Sequence, residues 1–562
     1  MVAYNQSNEP NCYMFMSLGN FVVKTHMKKI NILHDSRHLQ KLGRNCWYIA
    51  GLLLCLALSL FLSGDQTWRS VAQAEEISTH PDPYNGADAS MLPAPWLSLF
   101  EANATSDDAQ QANTMLCRFG VNAPNGLRSY PVDELRMSWY QNYVTRLNPE
   151  RPNGMDFIQT IRLSQTGADS YSSVPTTTVI SQIAGSNPGA AWFVGNEPDR
   201  KFFQDDIEPH VYAKAYHDLY RVIKAADPTA RVFAGSIVQP TPLRLMYLDK
   251  ILTAYSDKYH KAMPVDGWSI HNFILNEASC KVFPDINQCW GADIPPGIDA
   301  SEGLRIDVQD NDNLDLFIEQ VERFRHWMWL NGYRDTPLYL SEYGVLMPQQ
   351  GFPEFNTERV GRFMRNTFDY LLTATHSEHG YPPDGNRLVQ RFSWFSIDYD
   401  PMQFNGNLFD TDSQNFTGLG LTYKEYTNAI QETVDFLPVR LMNPVVPLHD
   451  GKPITFTLTA QIANSGNGLA SQSVQVRFYN GDPNAGGVQI GETQSVQVAG
   501  CGKTAYASVN WPALGEGNYA VYVVVSGAPD SLAETGGALT NNVLSQDILV
   551  ISDPVFLPMV DK

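Results

Sequence analysis

Ala191-Trp192-Phe193-Val194-Gly195-Asn196-Glu197-Pro198-Asp199 is the stretch on which the reading of this chain turns. Trp192, Phe193 and Val194 are bulky or β-branched and suit a short buried strand. Pro198 has no amide hydrogen and keeps its predecessor out of the helical region, so the strand ends at Glu197. A carboxylate thus stands at the carboxyl end of a strand. Leu338-Tyr339-Leu340-Ser341-Glu342-Tyr343-Gly344-Val345 repeats the pattern, an apolar strand running into a glutamate and a glycine-containing turn.

Around these two segments, strand-like and helix-like runs alternate. Apolar runs at residues 115–122, 135–142, 155–163, 231–235, 265–271 and 388–395 supply six further strands. Helical spacing of apolar residues marks 211–226, 245–255, 314–331 and 358–373, with Asp227-Pro228 and Asn331-Gly332 as stop signals. Eight strands alternating with helices predict a parallel α/β fold, closed as a (β/α)8 TIM barrel over residues 114–440. Glu197 then ends the fourth strand and Glu342 the seventh. Their separation of roughly 145 residues is three βα units of about 40 to 50 residues each. Active sites of such barrels form at the carboxyl ends of the strands, so the two carboxylates are expected to face one another there.

From about Pro438 to Pro447 the texture changes to period-two alternation, as in Ile454-Thr455-Phe456-Thr457-Leu458-Thr459 and Tyr519-Ala520-Val521-Tyr522-Val523. This pattern predicts an all-β sandwich over 441–552. Asn464-Ser465-Gly466-Asn467-Gly468, Phe478-Tyr479-Asn480-Gly481-Asp482-Pro483 and Asn541-Asn542-Val543 resemble the CARDB family, an immunoglobulin-like sandwich, over residues 450–551. The resemblance implies spacing or cell-surface association rather than chemistry. Residues 553–562 form a short apolar tail.

The beginning of the chain reads as an export signal. The apolar run Trp47 to Leu62 follows Lys28, Lys29, Arg37, Lys41 and Arg44 and precedes the small-residue site Val71-Ala72-Gln73-Ala74. A retained membrane anchor is the competing reading. Residues 1–74 are thus an extension and secretory signal, and 75–113, rich in Pro, Asp, Ala and Ser, a linker. Loss of the signal would leave Cys117, Cys280, Cys289 and Cys501. The closely spaced Cys280 and Cys289 suggest a local disulfide in an exported protein. A formal charge of -20 disfavours nucleic acid or an anionic membrane as main partner. No Cys/His spacing resembles a zinc site, and no cofactor is implied. The acidic run Asp307, Asp310, Asp312 and Asp315 reads as a solvated loop before a helix rather than a calcium site.

Two facing carboxylates are the minimum equipment for cleaving a glycosidic bond, one protonating the leaving oxygen and the other attacking the anomeric carbon. Placement gives Glu197 the acid/base role and Glu342 the nucleophile's. The acid must keep its proton near neutral pH, which the charge of its partner promotes. Asn196 can bind a sugar hydroxyl, His271 can support either carboxyl group, and Trp394 offers a flat face beneath a sugar ring. Asn196-Glu197-Pro198, Ser341-Glu342-Tyr343-Gly344 and Trp394 resemble the clan A retaining glycoside hydrolases. Ser138-Trp139-Tyr140-Gln141-Asn142 and Ser269-Ile270-His271 bring the family 128 endo-β-1,3-glucanases nearest. The resemblance implies a polysaccharide or oligosaccharide substrate, β-1,3-glucan first, with Tyr343 and Trp139 joining the sugar-binding set. Asn272-Phe273 departs from that family, which tends to carry an aromatic-tyrosine pair there. A glycan-binding surface protein without catalysis and a surface transglycosylase are the rival readings.

Overall fold

The computed structural model describes residues 14–18, 21–25, 114–279, 291–347, 351–399, 405–448 and 452–552. The apolar run 47–62, the linker 75–113, the pair Cys280 and Cys289, and the tail 553–562 lie outside the described residues. In the unit Met1–Ala104, β1 (Met14–Leu18) pairs antiparallel with β2 (Phe21–Thr25). The other elements belong to the unit Thr105–Lys562. Among the described residues no helix is long and apolar enough to cross a membrane.

Ten strands make one curled sheet: β3 (Leu116–Asn122), β4 (Met137–Gln141), β5 (Asp156–Phe157), β6 (Gln159–Gly167), β7 (Ser170–Val174), β8 (Ala191–Val194), β9 (Arg231–Ile237), β10 (Gly267–His271), β11 (Leu338–Tyr343) and β12 (Arg391–Trp394). Their spatial order is β5-β4-β3-β12-β11-β10-β9-β8-β6-β7. Only β7 runs antiparallel, folded back on β6. β5 and β6 sit near opposite ends of this order, yet Ile158 alone separates them along the chain. Its amide donates to Tyr140 O at 3.0 Å, while Gln159, Thr160 and Ile161 pair with β8.

Among the described residues six helices accompany the sheet: α1 (Thr177–Ser186), α2 (Pro209–Ala226), α3 (Pro242–Tyr259), α4 (Leu314–Leu330), α5 (Thr357–Thr373) and α6 (Gly418–Asn428). Proline opens α2 and α3, where its missing amide hydrogen costs nothing. Asn313 and Asn356 cap α4 and α5 by accepting amide hydrogens of the first turn. The acidic run before α4 serves local structure, with Asp307 capping a short turn and Asp312 paired to Arg359 at 2.6 Å.

Strand alternation sorts the side chains. Trp192, Val194, Trp268, Ile270, Phe392 and Trp394 join the large core shared with the helices, and Trp268 packs edge-on to Phe324 and Trp327. Trp139, Ile158, Ala191, Phe193, Phe233 and Tyr339 form a separate apolar cluster within the curl. The alternation of strands and helices expected from sequence is present. The hairpin strand β7 and the helices α1 and α6 were not anticipated. Ser170-Tyr171-Ser172-Ser173-Val174 has little apolar content to announce a strand, and α1 opens on Thr177-Thr178-Val179-Ile180, four β-branched residues of modest helix propensity.

The C-terminal strands are β13 (Phe436–Leu441), β14 (Val445–Leu448), β15 (Ile454–Asn464), β16 (Gln472–Asn480), β17 (Val488–Val498), β18 (Lys503–Leu514), β19 (Gly517–Gly527) and β20 (Val543–Ser552). They form two sheets, β13-β15-β18 and β14-β20-β19-β16-β17, over a core that includes Phe436, Ile462, Val476, Phe478 and Val523. The boundary expected after residue 440 is corrected: β13 already pairs with β15 from Phe436 onward. Pro438 sits in an edge strand, where its missing amide hydrogen is tolerated.

The sandwich is fastened to the curled sheet. A disulfide joins Cys117 on β3 to Cys501, a pairing the sequence reading did not make. Beside it, buried Arg118 donates to both carboxylate oxygens of Asp384 at 2.7 Å each and to Ser465 O at 2.9 Å.

Candidate active site

The parallel strands β8, β10 and β11 all end at the same side of the sheet, and each delivers one ionisable group there. After β8 the chain turns sharply, with Gly195 at φ 88 and Glu197 at φ 45. Such a conformation is strained for a residue bearing a Cβ and has to be held by its surroundings. Asp205 does part of this, accepting from Asn196 N (2.8 Å) and Leu163 N (3.0 Å), and Glu197 N donates to Ser236 O at 2.9 Å. Below the turn, Arg244 is wholly buried between Asp199 and Glu277 and also donates to the carbonyls of Ala292 and Asp293 at 2.8 Å each. The turn therefore rests on a fully paired charge network.

His271 ends β10, and a register shift between Ile270 and His271 pairs it with Glu342 on β11. Ser269 Oγ lies 2.6 Å from Ser341 Oγ, and Ser341 O accepts from Asn122 and Gln141 at 3.0 and 2.9 Å. This polar tier separates the apolar cluster inside the curl from the charged groups.

Those groups are close together. His271 Nδ1 is 3.1 Å from Glu197 Oε1, and His271 Nε2 is 3.8 Å from Glu342 Oε2. One oxygen of each carboxyl group and one imidazole nitrogen lie within 4.8 Å of one another. Tyr143 Oη donates to Glu342 Oε2 at 2.7 Å, and Arg200 Nη1 donates to Glu197 Oε2 at 3.0 Å. Glu197 is 1% exposed and Glu342 8%.

Burial alone would raise both carboxyl groups, but the two sites diverge. At Glu197 the Arg200 charge and the His271 hydrogen bond outweigh burial and hold the group down at about 2. At Glu342 burial dominates and the Glu197 charge adds to it, so the group is raised despite His271 and Tyr143. Burial disfavours charge on His271, yet Glu342 and Glu197 together raise it. The expectation that Glu197 is the carboxyl group lifted by its partner is thus reversed in the free site. The reason is Arg200, three residues after Glu197, whose role the sequence reading did not consider.

Three expected sugar contacts are placed elsewhere. Trp394 is 0% exposed, with its ring 5.4 Å from Tyr343 and its Nε1 donating to Gly406 O at 2.8 Å. It faces the helix layer, because Arg391 and Ser393 occupy the inward positions of β12. Tyr343 also faces that layer, against Phe317 and Thr367, since a register shift between Leu340 and Tyr343 interrupts the alternation of β11. Trp139 points inward but fills the apolar cluster, close against Gly120, where an added Cβ would meet its ring. Of the other candidates, His271 is at the centre, and Asn196 is 4% exposed with its amide engaged by Gln204 at 3.3 Å. Arg118 and Tyr140 are occupied structurally, by Asp384 and Glu150 O.

What surrounds the carboxyl groups instead is an apolar and aromatic cluster of Phe273, Leu275, Val238, Ala292 and Phe395, with Tyr143 and Tyr399 against it. Phe203 lies under the Arg200 guanidinium and is 43% exposed. Strand parity would have found part of this set: Tyr143 continues Trp139 and Gln141, and Phe395 continues Arg391 and Ser393. Arg200, Phe203 and Tyr399 lie on loops, where no periodicity points.

Glu197, His271 and Glu342 are also a donor set that a divalent cation could bridge. A cation there would compete with Arg200 for Glu197 and with the Tyr143 hydrogen bond for Glu342. The residues as arranged suit a proton relay better than a metal.

Residues 439–546 match the CARDB family. No curated protein matches the sequence. Solved structures similar to this chain include a glucosidase from Croceicoccus marinus (12% identity, 74% of this chain and 96% of that one, TM-score 0.37). Another is a monomeric β-xylosidase from Caulobacter crescentus (13%, 72% and 96%, TM-score 0.36). A CARDB domain of a Pyrococcus furiosus protein is 20% identical over 22% of this chain and 94% of that one, with a TM-score of 0.16.

Proposed function

We propose that this protein is an exported retaining glycoside hydrolase acting on a β-linked polysaccharide, β-1,3-glucan first. The observation that carries the reading is the pair Glu197 and Glu342, at the carboxyl ends of the parallel strands β8 and β11, with carboxylate oxygens within 4.8 Å. Retention with a covalent intermediate uses carboxyl groups about 5 to 5.5 Å apart, whereas inversion needs about 6.5 to 9.5 Å to admit a water. The continuity of β5 and β6 through Ile158 supports closure of the sheet as a (β/α)8 barrel, with residues 156–163 as its third strand.

In this reading Glu197 protonates the glycosidic oxygen while Glu342 attacks the anomeric carbon, giving a glycosyl ester and the released sugar. Glu197 then takes a proton from water as that water cleaves the ester, which restores both groups. Tyr143 orients the nucleophile. The acid role requires Arg200 to leave Glu197 as glycan enters, because the guanidinium keeps that carboxyl ionised in the free site. The same electrostatics favour a second assignment, with Glu342 as the acid and Glu197 as the nucleophile.

Reducing-sugar release from β-1,3-glucan, mixed-linkage glucan, xylan, cellulose and mannan tests the activity. Failure of the purified protein on every glycan, with retention of soluble glycan on an affinity gel, would move the reading to a binding protein. Azide rescue tests the roles. A nucleophile-less variant gives the glycosyl azide of inverted configuration and an acid-less variant the retained one, so the Glu342→Ala product assigns that residue directly. A reducing-end assay that stays flat while longer oligosaccharides accumulate would identify a transglycosylase. Export rests on the signal-like residues 28–74, and confinement of the chain to the cytoplasm on cell fractionation would remove that part.

A further inference from the structure

The opposite end of the curled sheet carries a charge pattern that glycoside cleavage does not use. Asp156 opens β5, Arg231 opens β9 and Arg391 opens β12, so parallel strands bring the three to the amino-end face together. Arg391 Nη1 donates to Asp156 Oδ2 at 2.7 Å, and Arg231 Nη1 donates to Tyr339 Oη at 2.9 Å. Lys503, the first residue of β18, comes from the sandwich and lies in the field of the same three charges. Arg151 and Arg231 line a cavity of about 240 Å³ whose wall also includes Asp156, Ser186, Asn187 and Gly189.

Arg391, Arg231 and Lys503 therefore act on one carboxylate, and Arg151 adds a further cation on the cavity wall. Burial works against charge on Asp156, but Arg391, Arg231 and Lys503 outweigh it and hold the group down at about 2. Asp227, the other carboxylate near this wall, is engaged by Gly189 N, Thr229 N and Thr229 Oγ1. The arginines keep their charge, so the positive excess is costly where water is partly excluded. Arg391 stands behind Asp156 rather than on the cavity wall; it is 1% exposed and its Nε has no hydrogen-bond acceptor, so Asp156 compensates it only in part. Buried guanidinium donors without acceptors are uncommon, and tetrahedral oxyanions match guanidinium geometry well.

We propose that this cavity binds a small oxyanion of the phosphate or sulfate class, independently of the reaction at the other end. Arg151 and Arg231 hold it from the wall, and Arg391 behind Asp156 offsets the repulsion from that carboxylate. The oxyanion is free or is carried as a substituent on a sugar.

Thermal unfolding of the full chain in sodium phosphate, sodium sulfate, a hexose phosphate and sodium chloride at matched ionic strength tests this. The expected result is a saturable rise of the melting temperature, about 1 to 2 °C at tenfold excess over Kd, with phosphate or sulfate and not with chloride. A rise with the hexose phosphate alone would identify the sugar-borne source. Arg231→Gln and, at the exposed rim, Arg151→Gln should each weaken the anion at least tenfold in calorimetric titration. The rim variant keeps the test readable if Arg231→Gln does not fold. Equal shifts with chloride, no shift with any anion, or an unchanged phosphate response in the variants overturns the proposal.

Discussion

The two ends of the curled sheet carry opposite charge imbalances. At the carboxyl ends, Glu197 and Glu342 share one imidazole and one guanidinium; at the amino ends, Arg231, Arg391 and Lys503 share the carboxylate of Asp156, with Arg151 on the same cavity wall. An apolar layer of Trp139, Phe193, Phe233 and Tyr339 lies between them. Each end keeps like charges close, which folding alone does not favour, so each is a place to look for function. The difference lies in what can relieve the repulsion. Protons can do so among carboxyl groups and an imidazole near neutral pH; at the other end Lys503 can give up its proton, but the arginines cannot lose theirs and need a counter-ion.

Breaking the carboxyl end should have the largest effect. Glu342→Ala is expected to lower kcat by on the order of 10⁴-fold or more while leaving the melting temperature unchanged or raised, since a buried like charge has gone. Activity within tenfold of the parent protein would remove Glu342 from the chemistry.

The junction that closes the other end comes next. Cys117→Ser, or reduction of the native chain, should destabilise by about 2 to 5 kcal/mol, because the Cys117–Cys501 bond restrains a very long loop of the unfolded chain. Denaturant unfolding with and without reductant measures this, and coincident curves would mean that the bond contributes nothing.

Lys503→Met sharpens the amino-end half of the comparison. Burial, then Arg231 and Arg391, push the lysine well below its ordinary pKa. The unfolded chain therefore binds more protons than the folded one between the folded and unfolded values, and stability contributed by this site rises with pH through that window. The methionine variant should be more stable near neutral pH in low-anion buffer and should lose part of the alkaline rise. A variant less stable at every pH contradicts the assigned sign.

The smallest effect tests the guanidinium at the carboxyl end. Arg200→Gln removes the cation that holds Glu197 near 2, so the acidic limb of kcat/KM should move to higher pH. A limb that stays in place would show that Arg200 does not set the protonation of the free site.

Much of this molecule was legible in its sequence, and the limits have physical reasons. Apolar runs ending in Glu197 and Glu342 announced buried strands with carboxyl groups at their ends, because a strand's composition and its proline stop are local properties. The two-residue repeats after Pro447 announced the sandwich in the same way. Which side of a strand a ring faces was partly local too. Parity separates Phe395 from Trp394, but at Tyr343 a register shift fixed by the neighbouring strands overrides it. Tertiary structure alone decided the rest. The Cys117–Cys501 bond, the approach of Arg200 to Glu197 through a turn, and the entry of Lys503 into the charges of Asp156, Arg231 and Arg391 all bring together groups with no shared periodicity. The sequence determined which groups could ionise and at which strand ends they stand. Only folding fixed their distances and burial, and those decide which groups keep their protons.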